Sequence, residues 1–85
     1  MDSERLEEVV TVVDEYWGLP DKSRAAVLAA YSSGGRKGVA RFLRRLADEI
    51  TSQVTSEMWS MDSRTVSNYF AQVADMERMA DDLEA

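Results

Sequence analysis

Apolar positions recur along this chain at three- and four-residue intervals, and no stretch alternates apolar and polar residues for long. That period belongs to helices and not to strands. Leu6, Val9, Val10, Val13 and Trp17 form one stripe and predict a first helix over about 4–17. Ser3 is placed to cap it, and Glu4, Glu7 and Glu8 suit the positive end of its dipole. Gly18 is a left-handed stop, and Leu19-Pro20 blocks continuation. Asp21 then caps an Ala-rich helix over about 22–32, with Val27, Leu28 and Tyr31 as its bulk. Its Ala25, Ala26, Ala29 and Ala30 are small enough to let another helix come close. Ser32-Ser33-Gly34-Gly35 reads as a loop. A third helix starts near Arg36 and buries Val39, Phe42, Leu43, Leu46 and Ile50.

After Ile50 the pattern allows two continuations. In one, Val54 and Met58 extend the stripe, so the helix runs over 36–60 and Asp62 caps a last helix. In the other, Thr51-Ser52 ends the helix at 36–50, residues 52–59 form a short helix, and Ser60-Met61-Asp62 is a tight turn. The last helix, over about 63–83, carries Val66, Tyr69, Val73, Met76, Ala80 and Leu83 at alternating spacings of three and four. That is an a/d seam of nearly three heptads. It either packs on the protein's own core or forms a homodimer or partner interface. The acids Asp81, Asp82 and Glu84 sit unfavourably at the negative end of this helix dipole, which calls for a cation nearby, including one from another subunit.

At 85 residues the chain has room for one domain, residues 1–85, and would be only marginally stable as a monomer. It has no Cys and no His, which removes disulfides, thiolate chemistry, the usual general base and the commonest metal ligand. Asp14-Glu15, Asp48-Glu49 and Asp81-Asp82 are adjacent pairs that point about 100° apart on a helix, so none forms an acid/base couple. No acidic pattern matches a calcium loop. Gly34-Gly35-Arg36-Lys37-Gly38 is basic and Gly-rich but lacks P-loop spacing and a preceding strand. The expectation is a protein that is not an enzyme, with no cofactor, no metal and no small-molecule substrate. The acidic start Met1-Asp-Ser-Glu-Arg-Leu-Glu-Glu8 does not read as a signal peptide, and no apolar run approaches membrane-spanning length. A soluble, cytoplasmic protein is expected.

Charge changes the picture most. Residues 22–47 carry seven cations (Lys22, Arg24, Arg36, Lys37, Arg41, Arg44, Arg45) and no acid. Residues 1–21 hold one Arg against seven acids, and residues 48–85 two Arg against nine acids. The total is −6. Exposed ion pairs contribute only ~0–1 kcal/mol each, so stability is a weak reason to gather seven like charges. The basic middle can face a nucleic acid, a partner protein or the chain's own acidic ends.

The stretch Ser52-Gln-Val-Thr-Ser-Glu-Met-Trp-Ser-Met-Asp-Ser-Arg-Thr-Val-Ser-Asn-Tyr-Phe70 resembles a helix-turn-helix of the repressor type. Ser56 matches the small residue in the first helix where the second crosses. Trp59 matches the apolar residue that ends that helix, and Ser60, Met61 and Asp62 match the turn and the cap. Thr65-Val66-Ser67 is similar to the start of a recognition helix whose Val packs inward. The resemblance implies double-stranded DNA as partner. Arg64 and Asn68 would read base edges, Ser63, Thr65 and Ser67 would meet phosphates or bases, and Arg36, Lys37, Arg41, Arg44 and Arg45 would lie on phosphates.

The sequence thus reads as all-α, four or five short helices in one compact bundle, with a helix-turn-helix towards the C-terminal half. A small DNA-binding regulator ranks first. A protein-interaction module, acting through its last helix or basic face and forming a homodimer, ranks second.

Overall fold

Three helices account for nearly the whole chain, and the computed structural model describes every residue, Met1–Ala85. Helix α1 spans Ser3–Trp17. Its cap is Asp2, whose carboxylate accepts from the Arg5 N–H at 2.8 Å, so the expected cap at Ser3 lies one residue late. Gly18 ends α1 in the left-handed region (φ 68°) and donates its N–H to the Asp14 carbonyl, as its position in the sequence implies.

Helix α2 spans Pro20–Glu57 and starts on a proline, whose missing N–H costs nothing in the first turn. It absorbs what the sequence divides into a helix, a loop and another helix. Only Gly35 leaves helical geometry, at φ 63° and ψ −149°. At that single residue the element folds back, giving a first arm over 20–34 and a second over 36–57. The fold-back is evident in the contacts: Ala26, Ala29 and Ala30 of the first arm line one groove with Gly38, Phe42 and Arg45 of the second. The Gly35 backbone lies near a region that essentially only glycine occupies. Gly35→Ala has open space for its methyl group, so its expected loss of about 1–3 kcal/mol measures backbone strain alone. Urea unfolding of the variant checks this. A midpoint equal to that of the parent chain would show that the bend does not depend on glycine.

The break expected near Thr51 does not occur. The Thr51 hydroxyl donates to the Ala47 carbonyl at 2.9 Å, within the helix, and α2 continues for another six residues. A short 3₁₀ turn, Met58–Ser60, and an extended Met61 lead into α3, Ser63–Glu84. Asp62 caps α3 as expected, accepting from the Thr65 N–H at 2.8 Å. Three helices therefore stand where four or five were expected, and there is no strand.

The core is one cluster of sixteen buried apolar residues drawn from all three helices. Val9 and Val13 of α1, Val27, Val39, Leu43, Ile50 and Val54 of α2, and Met76 of α3 are its largest fully enclosed members. Val73, Ala80 and Leu83 join them from α3, and Val66 and Tyr69 pack at its edge. The a/d seam is thus turned inward. Of the two readings of the seam, the structure shows the packing on the protein's own core, with Val73, Met76, Ala80 and Leu83 all buried there.

Helix α3 runs back along the second arm of α2. Arg44, early in that arm, reaches Asp81 and Glu84 at the end of α3. At the other end Ile50, Gln53, Val54 and Glu57 enclose a small cavity of about 50 Å³ with Tyr16, Met61 and Tyr69. Residues 52–70 are therefore the apex of an antiparallel helical hairpin. A helix-turn-helix needs its two helices to cross at about 90–120°. Ser56, expected beneath such a crossing, is exposed, and its hydroxyl donates back to the Gln53 carbonyl. Trp59, expected to pack, is 87% exposed. The crossed geometry is not observed.

No helix is long and apolar enough to cross a membrane.

Candidate functional site

The seven cations of residues 22–47 fall into different environments, and the acids packed against each arm decide which. Arg36 and Arg44, eight residues apart on the second arm, both reach the end of α3. Arg44 donates to Asp81 at 2.8 Å and to Glu84 at 2.9 Å. These bonds, first to Asp81 and then to Glu84, raise its pKa above the ordinary arginine value. Arg36 donates to the Asp82 carbonyl at 3.4 Å, and the Asp82 carboxylate lies 3.8 Å from Arg5 of α1. The cation that the acidic end of α3 calls for thus comes from the same molecule.

On the first arm, Arg24 grips Glu7 of α1 with both terminal guanidinium nitrogens, one bond measuring 2.8 Å. This hydrogen bonding holds the Glu7 carboxyl below its ordinary 4.5 and raises Arg24. Lys22 sits 5.0 Å above the Trp17 ring, and Trp17 in turn meets Phe42 edge-on at 6.0 Å.

Lys37, Arg41 and Arg45 are what remains. They are four residues apart, so they form one ridge along the second arm. All three are exposed, and none has a carboxylate within ion-pair distance. Arg41 and Arg45 edge a groove of about 540 Å³ between the two arms. Ala26, Ala29, Ala30, Gly38 and Phe42 give it an apolar floor, and Ser33 is its only other polar member. The groove exists because small residues line the first arm, Gly38 lets the second arm approach, and the chain bends at one glycine. The Arg41 guanidinium lies over Gly34, where the negative end of the first arm's dipole favours a cation.

Of the residues expected to contact DNA, the structure therefore groups Lys37, Arg41 and Arg45 and diverts Arg36 and Arg44 to α3. Ser63, Arg64, Ser67 and Asn68 are exposed near the hairpin apex, and Thr65 is half-buried beside its cap. About seventeen residues of helix separate Arg41 from the apex, or roughly 25 Å at 1.5 Å per residue. The two expected halves of a DNA site are thus far apart along the hairpin.

The groove's alanines and Gly38 escape a reading that treats small residues only as a means of close approach. A helical wheel at about 100° per residue puts Arg44 only about 20° from Lys37, so the division of the cations follows from where the acids of α3 lie and not from the period of the second arm.

Comparison with protein-family models, with curated proteins and with solved structures finds no match for this chain.

Proposed function

We propose that this chain is a non-enzymatic helical binding module, and that the groove between the arms of α2 docks an acidic, amphipathic helix of a partner protein. One observation carries the reading. Among seven clustered cations, the three that share a ridge beside an apolar groove are those left without an internal partner. Two are arginines, whose planar donor forks match carboxylates. The alanine floor favours a peptide helix with small or apolar residues over a bare phosphate chain. The overall charge of −6 also opposes a polyanion at long range.

DNA binding is the second reading, supported by the exposed, unengaged side chains of Ser63, Arg64, Ser67 and Asn68 on the first turns of α3. A titration followed by amide NMR distinguishes the two. The probes are an amphipathic peptide of about four helical turns with Glu at every fourth position, and a short random DNA duplex. The peptide is expected to shift Ala26, Ala29, Gly38 and Arg41, and Arg41→Gln with Arg45→Gln is expected to remove those shifts. A duplex that binds at about 50 mM salt and shifts residues 63–68, with the peptide inert, would establish the DNA reading instead. Its log–log salt slope would be about −4 if Arg64 and the three cations of the ridge all contact phosphates.

A further inference from the structure

The first helix presents a surface that mirrors the basic ridge. Glu4 and Glu8 are exposed and four residues apart. Glu4 has no cation within ion-pair distance, and Glu8 has only the Arg5 side chain, at 3.9 Å. With Glu7, Thr11 and Val12 of α1 and Met79 of α3 they border a shallow groove of about 560 Å³. Residues at this spacing on any helix stand ~5–6 Å apart, so a Glu4/Glu8 ridge and a Lys37/Arg41/Arg45 ridge share one repeat. Each ridge runs beside apolar side chains, as ridge-into-groove packing requires.

The two surfaces cannot meet within one molecule. The Arg24–Glu7 contact ties α1 to the first arm, and the Arg44 contacts tie α3 to the second. The two grooves share no lining residue, the acidic one lying between α1 and α3 and the basic one between the arms of α2.

We infer that the acidic helix docked by the basic groove is α1 of a second copy of this chain, presented through Glu4 and Glu8. This rests on the reading of the groove as a site for an acidic helix. Because the two surfaces are built from different residues, the contact is heterologous and joins copies head to tail, as a ring or an open chain according to the rotation between them. Both ridges are open to solvent, so the assembly weakens with salt.

Sedimentation of the full chain over a concentration series tests the inference. The average mass is expected to rise with concentration at about 50 mM salt, and the association to weaken ~10-fold or more at about 500 mM. Glu4→Arg with Glu8→Arg is expected to give single chains, as is Arg41→Glu with Arg45→Glu. Both variants should retain their helicity, since all four side chains are exposed or edge an open groove. Combining the four reversals in one chain is expected to restore assembly, because the charges are then exchanged between the same two surfaces. A parent chain that stays single at every concentration, while the acidic peptide still shifts groove resonances, would overturn self-docking and leave the binding module standing. A parent chain that stays single and a peptide that shifts nothing would overturn both. Assembly that both single reversals abolish but the combined chain does not restore would show that α1 is not the occupant.

Discussion

Met76→Asp is expected to unfold the chain at room temperature, and not to release a surface. Met76 is fully enclosed, a member of the apolar cluster that α1, α2 and α3 build together. Truncating a buried Met side chain costs about 2–5 kcal/mol through lost contacts and the void left behind. An unpaired carboxylate at the same point adds several kcal/mol of desolvation, or takes up a proton and gives back part of that cost. No arginine or lysine lies in the core cluster to compensate it. Against this, 85 residues at ~0.05–0.15 kcal/mol per residue hold only ~4–13 kcal/mol in total. The far-UV circular dichroism of the variant should therefore be that of a largely unfolded chain, whereas Met76→Leu should cost less than about 1.5 kcal/mol and stay helical. A folded Met76→Asp chain with native helicity would mean that α3 does not bury this face. The seam would then be free to meet a partner after all.

The same α3 shows how far the sequence reaches. The spacing of Val66, Tyr69, Val73, Met76, Ala80 and Leu83 announces a buried helix face, and Asp62 announces where the helix begins. Neither says whose core the face enters. That depends on α3 lying antiparallel along α2, a long-range pairing set by Arg44, Asp81 and the packing around Ile50. Gly18 was readable because a left-handed stop followed by Leu-Pro leaves one outcome. Ser32-Ser33-Gly34-Gly35 was not, because a reversal of direction needs only one residue outside helical geometry. Gly35 supplies it, and the other three accept helix. Thr51 misleads for a related reason: a threonine disfavours helix when its hydroxyl competes for backbone groups, but here the hydroxyl is satisfied inside the helix by Ala47. In the candidate site, the cluster of cations was visible and their separate fates were not, since neutralisation of Arg44 depends on acids thirty-seven and forty residues away.

Gly38 ties the fold to the groove, and replacing it should damage both. A methyl group built on Gly38 would stand 2.5 Å from the Ala30 carbonyl oxygen, closer than real atoms approach. The obstacle is backbone, so no rotamer change relieves it, and the arms must move apart. Glycine inside a helix is otherwise about 1 kcal/mol worse than alanine. Its presence in the second arm is explained by this close approach. Gly38→Ala is expected to lose about 1–3 kcal/mol despite its better helix propensity, and Gly38→Val more, because its branched side chain points into the same carbonyl. Gly34→Ala is the informative control. There the nearest atom is an Arg41 guanidinium nitrogen at 2.7 Å, the mobile end of a side chain. It can swing aside, so Gly34→Ala should be near neutral or stabilising by up to ~1 kcal/mol. Thermal melting ranks the three. At temperatures where Gly38→Val remains folded, its splayed arms should bind the acidic peptide more weakly although Lys37, Arg41 and Arg45 are intact. A Gly38→Val chain that melts with the parent and binds the peptide equally well would mean that the arms do not meet at Ala30, and the groove described between them would lose its basis.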